Sequence, residues 1–274
     1  MKISTLENVT IDQLIDCFLA CFANYFVPMP TDRAYYKTRW KNANVRFDYS
    51  YGVFDDDKLV GFIINAIDER NGHRLAYNTG TGVLPAYRGK RLVKSIYEYA
   101  IPDLKKKGIT KCSLEVITEN IVAVNAYQSI GLAICKHYKC FKGTIQQSLS
   151  NSVQLIPKDL TERTTNDLAD QSKYSYDNHY QSLVKGAFKY YELQEAGAKI
   201  GYFIINPTNG YLAQFELSAY TPQNQALLTA AVSSIGEQIR INNVGAAMDN
   251  KINWLEAVGL KNTVDQYEME MIIQ

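Results

Sequence analysis

Two short segments of this 274-residue chain bring together residue types that could bind a charged ligand and move a proton. The first, Gly80 to Val93, takes a predicted strand into a predicted helix through a turn that holds Gly89. Four cations lie around that glycine: Arg88, Lys90, Arg91 and Lys94. Because a helix N-terminus offers unpaired N–H donors and the positive end of the helix dipole, a pyrophosphate could dock there. An ordinary strand-loop-helix connection with a solvated basic cluster is the competing interpretation.

The second segment, Glu115 to Leu132, holds one carboxylate in a strand and one phenol in a helix. Glu115 lies between Leu114 and Val116, and side chains alternate along a strand, so the carboxylate faces away from both apolar neighbours. A carboxylate in a buried strand is costly unless it is paired or used, and partial burial would suit a general base. Tyr127 keeps its proton at pH 7, because phenols ionise near about pH 10. A solvent-facing or hydrogen-bonded glutamate and a core tyrosine are the alternatives.

Hydrophobic periodicity predicts alternating helices and strands around both segments. Thr10 is a candidate N-cap for the first helix, Pro102 should kink or shorten the helix that follows Gly89, and Gly131 should end the next helix. The first half is expected to contain a strand at 1–6, helices at 11–22 and to about 42, a hairpin at 49–54 and 59–67, a strand at 75–84, a helix at 89–107, a strand at 111–117, a helix at 120–130 and a strand or pair at 133–145.

The polar stretch Gln146–Ser152 is the best candidate for a linker, which predicts two domains, residues 1–145 and residues 146–274. The second half should begin with two short helical patterns, followed by strands at 187–193, 199–206 and 211–218, a helix at 222–240, a strand at 241–246, a short helix to 258 and a final strand. The tripeptide Ile130-Gly131-Leu132 has a counterpart in Val258-Gly259-Leu260, and we call the shift from Gly131 to Gly259 the repeat offset. Together with the shared element order, this favours a diverged internal duplication over an unrelated second domain.

Residues 45 to 145 resemble the GNAT superfamily of N-acetyltransferases in two motifs, and residues 1 to 45 match it in element order. The first motif is Val-x-Pro-x-x-Arg-Gly, from Val83 to Gly89, followed by a basic amphipathic helix. The second is a Leu-Glu-Val strand followed by Asn-x-x-Ala-x-x-x-Tyr-x-x-x-Gly and a hydrophobic residue. The resemblance implies an α/β fold with a mixed sheet, the GNAT acyl-CoA N-acyltransferase fold, here as a tandem of two GNAT-like units.

The resemblance also implies that acetyl-CoA binds as a co-substrate and that no metal is needed. Val83 and Leu84 match the residues whose backbone pairs with the pantetheine arm, and Asn120 matches the residue that hydrogen-bonds the coenzyme near the thioester. The pyrophosphate loop and its flank correspond to Arg88, Gly89, Lys90, Arg91, Leu92, Val93 and Lys94. Two glycine positions of the family hold Arg91 and Val93 here, and the β-carbon of Arg91 should narrow the space for the phosphate.

For the chemistry, the resemblance implies that Tyr127 protonates the departing thiolate and that Glu115 deprotonates the acceptor ammonium, often through water. The acceptor amine then attacks the thioester carbonyl directly in a ternary complex, so no covalent acetyl-cysteine is required. Element order places five aromatic and basic candidates on the acceptor side: Tyr25, Tyr35, Tyr36, Arg39 and Trp40.

The second half lacks each of these chemical groups. At the repeat offset, Leu255 stands for the tyrosine, Asn243 for the glutamate and Met248 for the asparagine, and no Arg-Gly pair follows the strand that ends near residue 219. This half is therefore expected to have lost acetyl-CoA chemistry and to complete a sheet, wall the acceptor cleft or bind a ligand. Its clustered tyrosines could stack on a substrate, but packing is the favoured interpretation: Tyr174, Tyr176, Tyr180, Tyr190 and Tyr191.

Composition sets the remaining expectations. The net charge of +1 argues against a nucleic-acid partner, while the split into +6 for residues 1–145 and −5 for residues 146–274 suits a polyanionic small ligand in the first half. The five cysteines form no paired framework, which favours a reducing compartment, the cytoplasm. Three donors at Cys135, His137 and Cys140 fit no zinc spacing. No signal peptide or membrane span is visible in the sequence.

The sequence thus predicts an acyltransferase that moves the acetyl group of acetyl-CoA to a primary amine. Two alternatives stay open. The altered glycine positions suggest a non-catalytic acyl-CoA-binding or sensor module. The separation of twelve residues between Glu115 and Tyr127 suggests a protein N-terminal acetyltransferase.

Overall fold

The structure is a computed structural model that describes residues 1–146, 153–164 and 166–273. Residues 147–152 of the predicted linker lie outside the described residues. The contacts within the chain divide it into two compact units, of which the first contains Met1–Cys135 together with Glu268–Gln274 and the second contains Lys136–Tyr267. Among the described residues, no helix is both long enough and apolar enough to cross a lipid bilayer.

The first unit alternates strands and helices in the predicted order. Its strands are β1 (Lys2–Thr5), β2 (Tyr51–Asp55), β3 (Lys58–Arg70), β4 (His73–Val83), β5 (Lys111–Ile117) and the start of β6 (Ala133–Thr144). Its helices are α1 (Ile11–Phe22), α2 (Arg33–Asn42), α3 (Leu92–Lys106) and α4 (Ile121–Gln128). A 3-10 turn at Pro85–Tyr87 connects β4 to the loop before α3.

Capping residues explain where the first two helices begin. Thr10 caps α1 in a capping box with Gln13, as predicted, and the Asp32 carboxylate accepts the N–H of Ala34 at the start of α2. Helix α3 continues past Pro102, so the proline does not end it. These helix starts fix the positions of the segments that surround the sheet.

The sheet of the first unit has the strand order β1-β2-β3-β4-β5, followed by the end of β12 (Lys261–Ile272). Neighbouring strands from β1 to β4 are antiparallel, and β4 pairs with β5 in parallel. The register of β3 and β4 shifts at Thr79, since Ile64 pairs with Gly80 and Asn65 pairs with Asn78. A bulge of this kind bends its strand and increases the local twist.

Helices cover both faces of this sheet. On one face, α1 and α2 bury large side chains against β3: Leu14, Ile15, Phe18, Tyr36, Trp40, Phe62 and Ile64. On the other face, α3 contacts β2, and the Tyr51 hydroxyl donates to the Asp103 carboxylate at 2.7 Å. Full burial of one such apolar side chain stabilises the fold by about 1.5–3 kcal/mol, so the packed faces hold the strands on both sides of the bulge in place.

The second unit repeats this order of elements. Its strands are the rest of β6, β7 (Val153–Lys158), β8 (Lys189–Glu195), β9 (Ala198–Asn206), β10 (Tyr211–Leu217), β11 (Gln238–Gly245) and the first part of β12, and its helices are α5 (Tyr180–Leu183), α6 (Pro222–Ile235) and α7 (Asp249–Ala257). Its strand order is β12-β6-β11-β10-β9-β8-β7. Strand β7 is not among the predicted elements, and the predicted α6 runs too far because the apolar pattern continues past Gly236 into β11.

Helices α4 and α7 end in the same geometry at positions related by the repeat offset. Gly131 and Gly259 both adopt positive φ, 105° and 91°. The N–H of Leu132 donates to the carbonyl of Tyr127 at 3.1 Å, and the next unit repeats this bond from Leu260 to Leu255 at 3.0 Å. A left-handed glycine that closes a helix is a common C-terminal signal, but the matching bonds at a fixed offset support the predicted repeat.

The two units exchange chain segments near their boundaries. Residues Lys136–Ile145, which the sequence predicted in the first domain, are in the second unit, and the residues from Glu268 onward are in the first. In the first unit, Lys111 of β5 pairs with Glu270 at 2.5 Å, and the N–H of Ile273 donates to the carbonyl of Thr110 at 2.8 Å. Composition cannot reveal this exchange, because strand pairing across the length of the chain leaves no local signal. The division of functions at residue 145 stays a prediction.

Candidate active site

Strands β4 and β5 separate beyond their last pair. Their parallel pairing runs from Leu75 with Lys111 to Asn78 with Leu114, whereas β4 continues to Val83. The separation follows directly after the bulge in β4. Two parallel strands that part in this way leave backbone groups available on their facing edges, so a ligand with amide groups of its own could pair with them.

On the β4 side of this opening, alternate residues point their backbone groups away from β3. The N–H of Leu84 donates to the carbonyl of Val60 at 2.9 Å, which commits Leu84 to β3. Because these directions alternate along an antiparallel strand, Thr81 and Val83 present their N–H and C=O groups to the opening. The structure therefore places Val83 where the sequence predicts a ligand contact, while the N–H of Leu84 is already used.

The loop from Arg88 to Arg91 leads from the opening into α3. Arg91 has φ 57° and ψ 26°, in the left-handed region, and Gly89 has φ 77°. That region costs a residue other than glycine about 1–2 kcal/mol. This cost accounts for the glycine that the GNAT pattern has at the position that Arg91 occupies here. No side chain caps α3, so the N–H groups of Leu92 to Lys94 have no partner within the helix. This end of α3 is suited to an anion.

The predicted cations differ in how many contacts they already make with other groups of the protein. Arg88 is bound to the protein, since its guanidinium donates to the carbonyls of Val83 at 3.2 Å and Cys21 at 2.8 Å. Lys90 lies over the ring of Tyr87, 5.1 Å from its centroid. Arg88 therefore holds the loop against α1 and the end of β4, and backbone amides are the more available donors for a diphosphate.

The phenol of Tyr127 belongs to a buried polar cluster on the α3 side of the sheet. Tyr127 is 8% exposed, and the Thr81 hydroxyl hydrogen-bonds to it. Asn78 Nδ2 donates to the Thr81 hydroxyl and to the Tyr97 hydroxyl, both at 2.6 Å. Burial raises the pKa of Tyr127 to about 12, so the phenol is a proton donor throughout the neutral range.

Glu115 lies beside the opening on the opposite face. The residue follows Leu114, the last β5 residue paired with β4, and the Tyr77 hydroxyl donates a hydrogen bond to its carboxylate. Cys112 interacts with Tyr97 of α3, and side chains alternate along β5, so Glu115 faces the helices α1 and α2. A carboxylate and a phenol thus flank the same opening from opposite faces.

Asn120 connects α4 with the segment that follows α1. Its side-chain oxygen accepts the N–H of Ala123 at 3.2 Å and caps α4. Its side chain also hydrogen-bonds to the hydroxyl of Tyr25, which interacts in turn with Tyr127. The capping role accounts for an asparagine here without any ligand, and the predicted contact of Asn120 with a coenzyme stays a prediction.

The five residues proposed for the acceptor side divide into two groups. Tyr25 lies beside the opening, because its hydroxyl hydrogen-bonds to Asn120 at the start of α4. Tyr36 and Trp40 do not, because both are buried in the core, where their rings contact the ring of Phe18. The assignment of those two side chains to the cleft is therefore wrong: on an amphipathic helix, large aromatic side chains turn toward the apolar face. Two remain partly accessible on α2, namely Tyr35 and Arg39.

Five residues at the opening were not predicted as site residues from the sequence, and Thr81, which hydrogen-bonds to Tyr127, is one of them. Asn78 and Tyr97 bind in the cluster around Tyr127, and Tyr77 binds Glu115. Thr79 sits at the bulge with its hydroxyl buried and unpaired. An asparagine directly after the apolar run Leu75-Ala76-Tyr77 was a visible signal for Asn78, because a buried amide needs partners. Nothing local in the sequence marks the bulge.

The second unit has no counterpart of the phenol or the carboxylate at the matching positions. At the repeat offset, Leu255 is fully buried, Met248 precedes α7, and Asn243 adopts φ 56° in β11. Helix α6 stands where α3 stands in the first unit. Its N-terminus is capped by Thr221, whose hydroxyl accepts the N–H of Asn224 at 3.1 Å, and Pro222 supplies no N–H.

A buried ion pair lies in the second unit between β10 and α7. The Lys251 ammonium contacts Glu216 at 3.0 Å and the Tyr174 hydroxyl at 2.8 Å, and it lies 5.3 Å from the ring centroid of Phe215. Burial lowers the pKa of Lys251, while Glu216 opposes that shift. The lysine fills space beside a small cavity lined by Gln214, Asn243 and Met248, among others. None of the five clustered tyrosines of this unit is fully exposed, which agrees with packing.

In the described part of the chain, one group of potential metal ligands differs from the set Cys135, His137 and Cys140 that was rejected as a zinc site from the sequence. Ligand atoms of Cys135, Glu268 and Glu270 lie within 4.8 Å of one another. Glu270 is paired with Lys111 at 2.5 Å, and the Cys135 thiol lies 3.4 Å from the Glu268 carbonyl oxygen. These contacts account for the cluster, and we assign no metal to it.

Comparison with known proteins identifies one family. Residues 11–132 match the profile of the acetyltransferase (GNAT) family. No match was found among curated proteins. The matched segment contains the β4–β5 opening, the loop before α3, and α4 with its tyrosine, so it covers the geometry described above.

Solved structures with the same fold extend over both units. A GCN5-related N-acetyltransferase from Sphaerobacter thermophilus has a TM-score of 0.71 at 10% identity, covering 100% of this chain and 96% of that one. A GCN5-related glucosamine N-acetyltransferase region of a fungal multi-domain GH3 beta-N-acetylglucosaminidase has a TM-score of 0.70 at 12% identity, covering 98% of this chain and 38% of that one. A tandem GNAT protein from the clavulanic acid biosynthesis pathway has a TM-score of 0.69 at 12% identity, covering 100% of this chain and 99% of that one. The fold is therefore a tandem of two GNAT units, each with a mixed α/β sheet.

Proposed function

Residues 11–132 form an acetyltransferase domain of the GNAT family, and from this premise we propose that the protein transfers the acetyl group of acetyl-CoA to a primary amine. The transfer would occur by direct attack in a ternary complex held in the β4–β5 opening of the first unit. The second unit would take no part in acetyl-CoA chemistry.

Three features support the binding of acetyl-CoA at this opening. The first turn of α3, from Leu92 to Lys94, has N–H groups without partners in the helix that could bind a diphosphate. The backbone of Thr81 and the N–H of Val83 face the opening and could pair with the amides of the pantetheine arm, while the Val83 carbonyl accepts from Arg88. A β-carbon added at Gly89 would meet no atom within 4 Å, so the loop leaves room for a ligand.

The proposed reaction removes two protons from the acceptor nitrogen and adds one to the departing sulfur. Glu115 accepts the first proton from the acceptor ammonium, directly or through water. The freed amine nitrogen attacks the thioester carbonyl carbon, the carbon–sulfur bond breaks, and the thiolate takes a proton from the Tyr127 phenol. The nitrogen gives up its second proton to water as the amide forms, and water returns a proton to the Tyr127 phenolate. The N–H of Val83 would polarise the carbonyl oxygen as negative charge develops on it. The positions of the carboxylate and the phenol on opposite faces of the sheet support this division of roles.

The observation that carries the proposal is the continuity of the opening, from the uncapped start of α3 past Val83 to the buried phenol of Tyr127. A bound thioester would lie along this path. Elsewhere in the described fold, the capped start of α6 and the buried Lys251 offer no such path.

The direct test compares two thioesters. Acetyl-CoA and S-acetylpantetheine share the reacting group, but only acetyl-CoA carries the diphosphate. Each charge-assisted hydrogen bond from the α3 turn is worth about 1.5–3 kcal/mol, so S-acetylpantetheine should bind at least about 100-fold more weakly by titration calorimetry. Thiol release should follow when amines are added. Equal affinities for the two thioesters would remove the role of α3, and tight binding without turnover on any amine would remove the catalytic role.

A non-catalytic acyl-CoA sensor is the second candidate, and the left-handed Arg91 favours it. The side chain of Arg91 replaces a glycine where the diphosphate would approach. A sensor would show a thermal shift with acetyl-CoA but no thiol release over polyamines, amino acids, amino sugars, aminoglycosides and peptides. A protein N-terminal acetyltransferase is the third candidate, and it would require peptides to be preferred over small amines.

The proposed setting is the cytoplasm, with acetyl-CoA and an amine as partners and without nucleic acid. All five cysteines lie in the described part of the chain, and none is in a disulfide. Four of the five are buried, as is ordinary for small apolar side chains. A reducing compartment with acetyl-CoA suits these features.

A further inference from the structure

The acceptor side of the opening has an apolar rim. The segment 23–31, between α1 and α2, contains no charged residue. Within it Phe26 is 56% exposed, and at the start of α4 Ile121 and Val122 are 58% and 83% exposed. Eight large apolar side chains are exposed in the described part of the chain, and three of them lie in these two short segments. Exposed apolar side chains that cluster beside a site mark a place for an apolar ligand.

The two segments of the rim are joined by a side-chain hydrogen bond. The Tyr25 hydroxyl hydrogen-bonds to the side chain of Asn120, the residue directly before Ile121. The ring of Phe26 packs edge-on against the ring of Tyr25, 5.4 Å between centroids. Asn120 caps α4, the helix that carries Tyr127, so the hydrogen bond from Tyr25 ties the rim to the helix of the proposed proton donor.

Few charges are available to a ligand at this place. Glu115 is partly buried and receives the hydrogen bond of Tyr77. Arg88 is bound to the carbonyls of Cys21 and Val83. Glu119 lies at the outer end of the rim. Among residues 23–31 and 118–122, which the structure describes in full, Glu119 is the one charged side chain and it is exposed, so these segments offer a second ammonium no buried partner.

We propose that the acceptor is a primary monoamine whose amino group is attached to an uncharged apolar body, such as an alkyl or aryl chain, which packs on Phe26, Ile121 and Val122. This inference rests on the proposed function. A second ammonium on the acceptor would lose its water against these side chains without gaining a buried partner, whereas each buried methylene gains about 0.8 kcal/mol, equivalent to a rate factor of about four.

The test uses pairs of acceptors that differ in one property. Hexylamine and 1,6-diaminohexane have the same carbon chain, and only the diamine carries a second charge. Hexylamine should have a kcat/KM at least about tenfold higher than the diamine at equal pH. From butylamine to hexylamine, kcat/KM should rise about threefold to fourfold per methylene. Glucosamine, a polar amine that one structural neighbour is named for, should be slower than hexylamine.

Two rim variants and one matched control complete the experiment. Phe26→Ser and Val122→Ser should each lower the kcat/KM of hexylamine about fivefold, flatten the dependence on chain length and leave the affinity for acetyl-CoA unchanged. Ile134→Ser replaces an apolar residue that is 42% exposed on β6, away from the rim, and should change none of these quantities.

The outcomes separate this inference from the proposed function. Turnover of the diamine or of glucosamine at a rate equal to that of hexylamine, or a flat dependence on chain length in the unaltered protein, would overturn the monoamine inference and leave the acetyltransferase proposal in place. Binding of acetyl-CoA without turnover of any amine in the series would overturn the proposed function, and the inference with it.

Discussion

The helices α3 and α6 occupy the same place in the two units, yet their first turns are built in opposite ways. Helix α3 has no capping side chain and enters through Arg91 in the left-handed region. Helix α6 has a Thr221 cap and begins with Pro222, so part of its donor set is satisfied and one donor is absent. The uncapped start of α3 thus keeps free donors for the proposed diphosphate, whereas the start of α6 is closed by its own cap.

The polar side chains of the two units differ in a similar way, between groups that face an opening and groups that are paired within the protein. In the first unit, the phenol of Tyr127 and the carboxylate of Glu115 stand beside the opening. In the second, the ammonium of Lys251 is buried against Glu216 and Tyr174. A repeated fold can thus keep its frame while the polar groups at its opening serve either a ligand or the protein itself.

Removal of the Tyr127 hydroxyl should have the largest effect on this comparison. Tyr127→Phe makes the first unit resemble the second, which has Leu255 at this position. Because a proton donor at the leaving group contributes about 100-fold or more, kcat should fall at least about 100-fold, with KM changed much less. Steady-state kinetics at saturating acetyl-CoA checks this.

Tyr99→Phe serves as the control, since Tyr99 is 47% exposed on the outer side of α3 and should leave kcat within about twofold. An unchanged kcat in Tyr127→Phe, with single-turnover data showing that the chemical step limits the rate, would assign Tyr127 to packing alone.

Removal of the Glu216 charge should have the next largest effect, on stability rather than on catalysis. Glu216→Gln leaves the Lys251 ammonium buried without its carboxylate. Loss of one partner of a buried ion pair costs several kcal/mol, and because Glu216 is about one-third exposed we expect a loss of about 2 kcal/mol in the free energy of unfolding. Urea titration followed by tryptophan fluorescence measures it, since Trp254 is buried in the second unit and Trp40 in the first.

The double variant Glu216→Gln with Lys251→Met should recover part of this loss, because it removes both charges. Acetylation by the folded protein should stay within about twofold. An ordinary surface substitution changes the free energy of unfolding by about 0.5 kcal/mol or less. If Glu216→Gln alone changed it by no more than that, the Lys251 ammonium would be hydrated by water rather than stabilised by Glu216.

Two substitutions of Arg91 distinguish the effect of its left-handed backbone from the effect of its charge. Arg91→Gly relieves the left-handed conformation and should stabilise the protein by about 1 kcal/mol, whereas Arg91→Ala removes the charge and keeps the β-carbon. If backbone amides bind the diphosphate, the affinity of Arg91→Gly for acetyl-CoA should stay within about threefold. A loss of tenfold or more in both variants would show that the Arg91 guanidinium is the main contact.

The smallest expected effect is the absence of an alkaline limb. Burial raises the pKa of Tyr127 to about 12, so its proton is lost only as the pH rises through that value. Between about pH 7 and pH 10, kcat should therefore not fall through ionisation of this phenol. A decrease with an apparent pKa below 10 that vanishes in Tyr127→Phe would contradict the buried environment of the side chain.

Local signals in the sequence predicted much of the fold. Thr10 caps α1, Gly131 closes α4, and the bounds of β5 agree with those of the predicted strand. The two segments with candidate chemistry also lie at one opening. These features depend on residues near one another in the chain, which is where propensity, capping and periodicity act.

Features set by distant contacts were not predictable in this way. The bulge at Thr79, which sets where β4 leaves β5, depends on the register with β3. Tyr36 and Trp40 were assigned to the cleft because element order does not give the rotation of α2 about its own axis, which decides which side chains face the core. Strand β7 was missed because its alternation is short and contains Pro157. The partner of Glu115, Tyr77, lies in a different strand far back in the chain.

The composition of the first unit has a consequence during synthesis. Its sheet includes residues from Glu268 onward, with Lys111 paired to Glu270. A ribosome that adds about 5–20 residues per second reaches Glu270 many seconds after it has made Tyr127. Until then, the edge of β5 that neighbours β12 has unpaired backbone N–H and C=O groups, so nascent chains stalled before residue 268 should be captured by chaperones more readily than chains that include β12. The sheet of the first unit is therefore completed only after the residues of the second unit have been made.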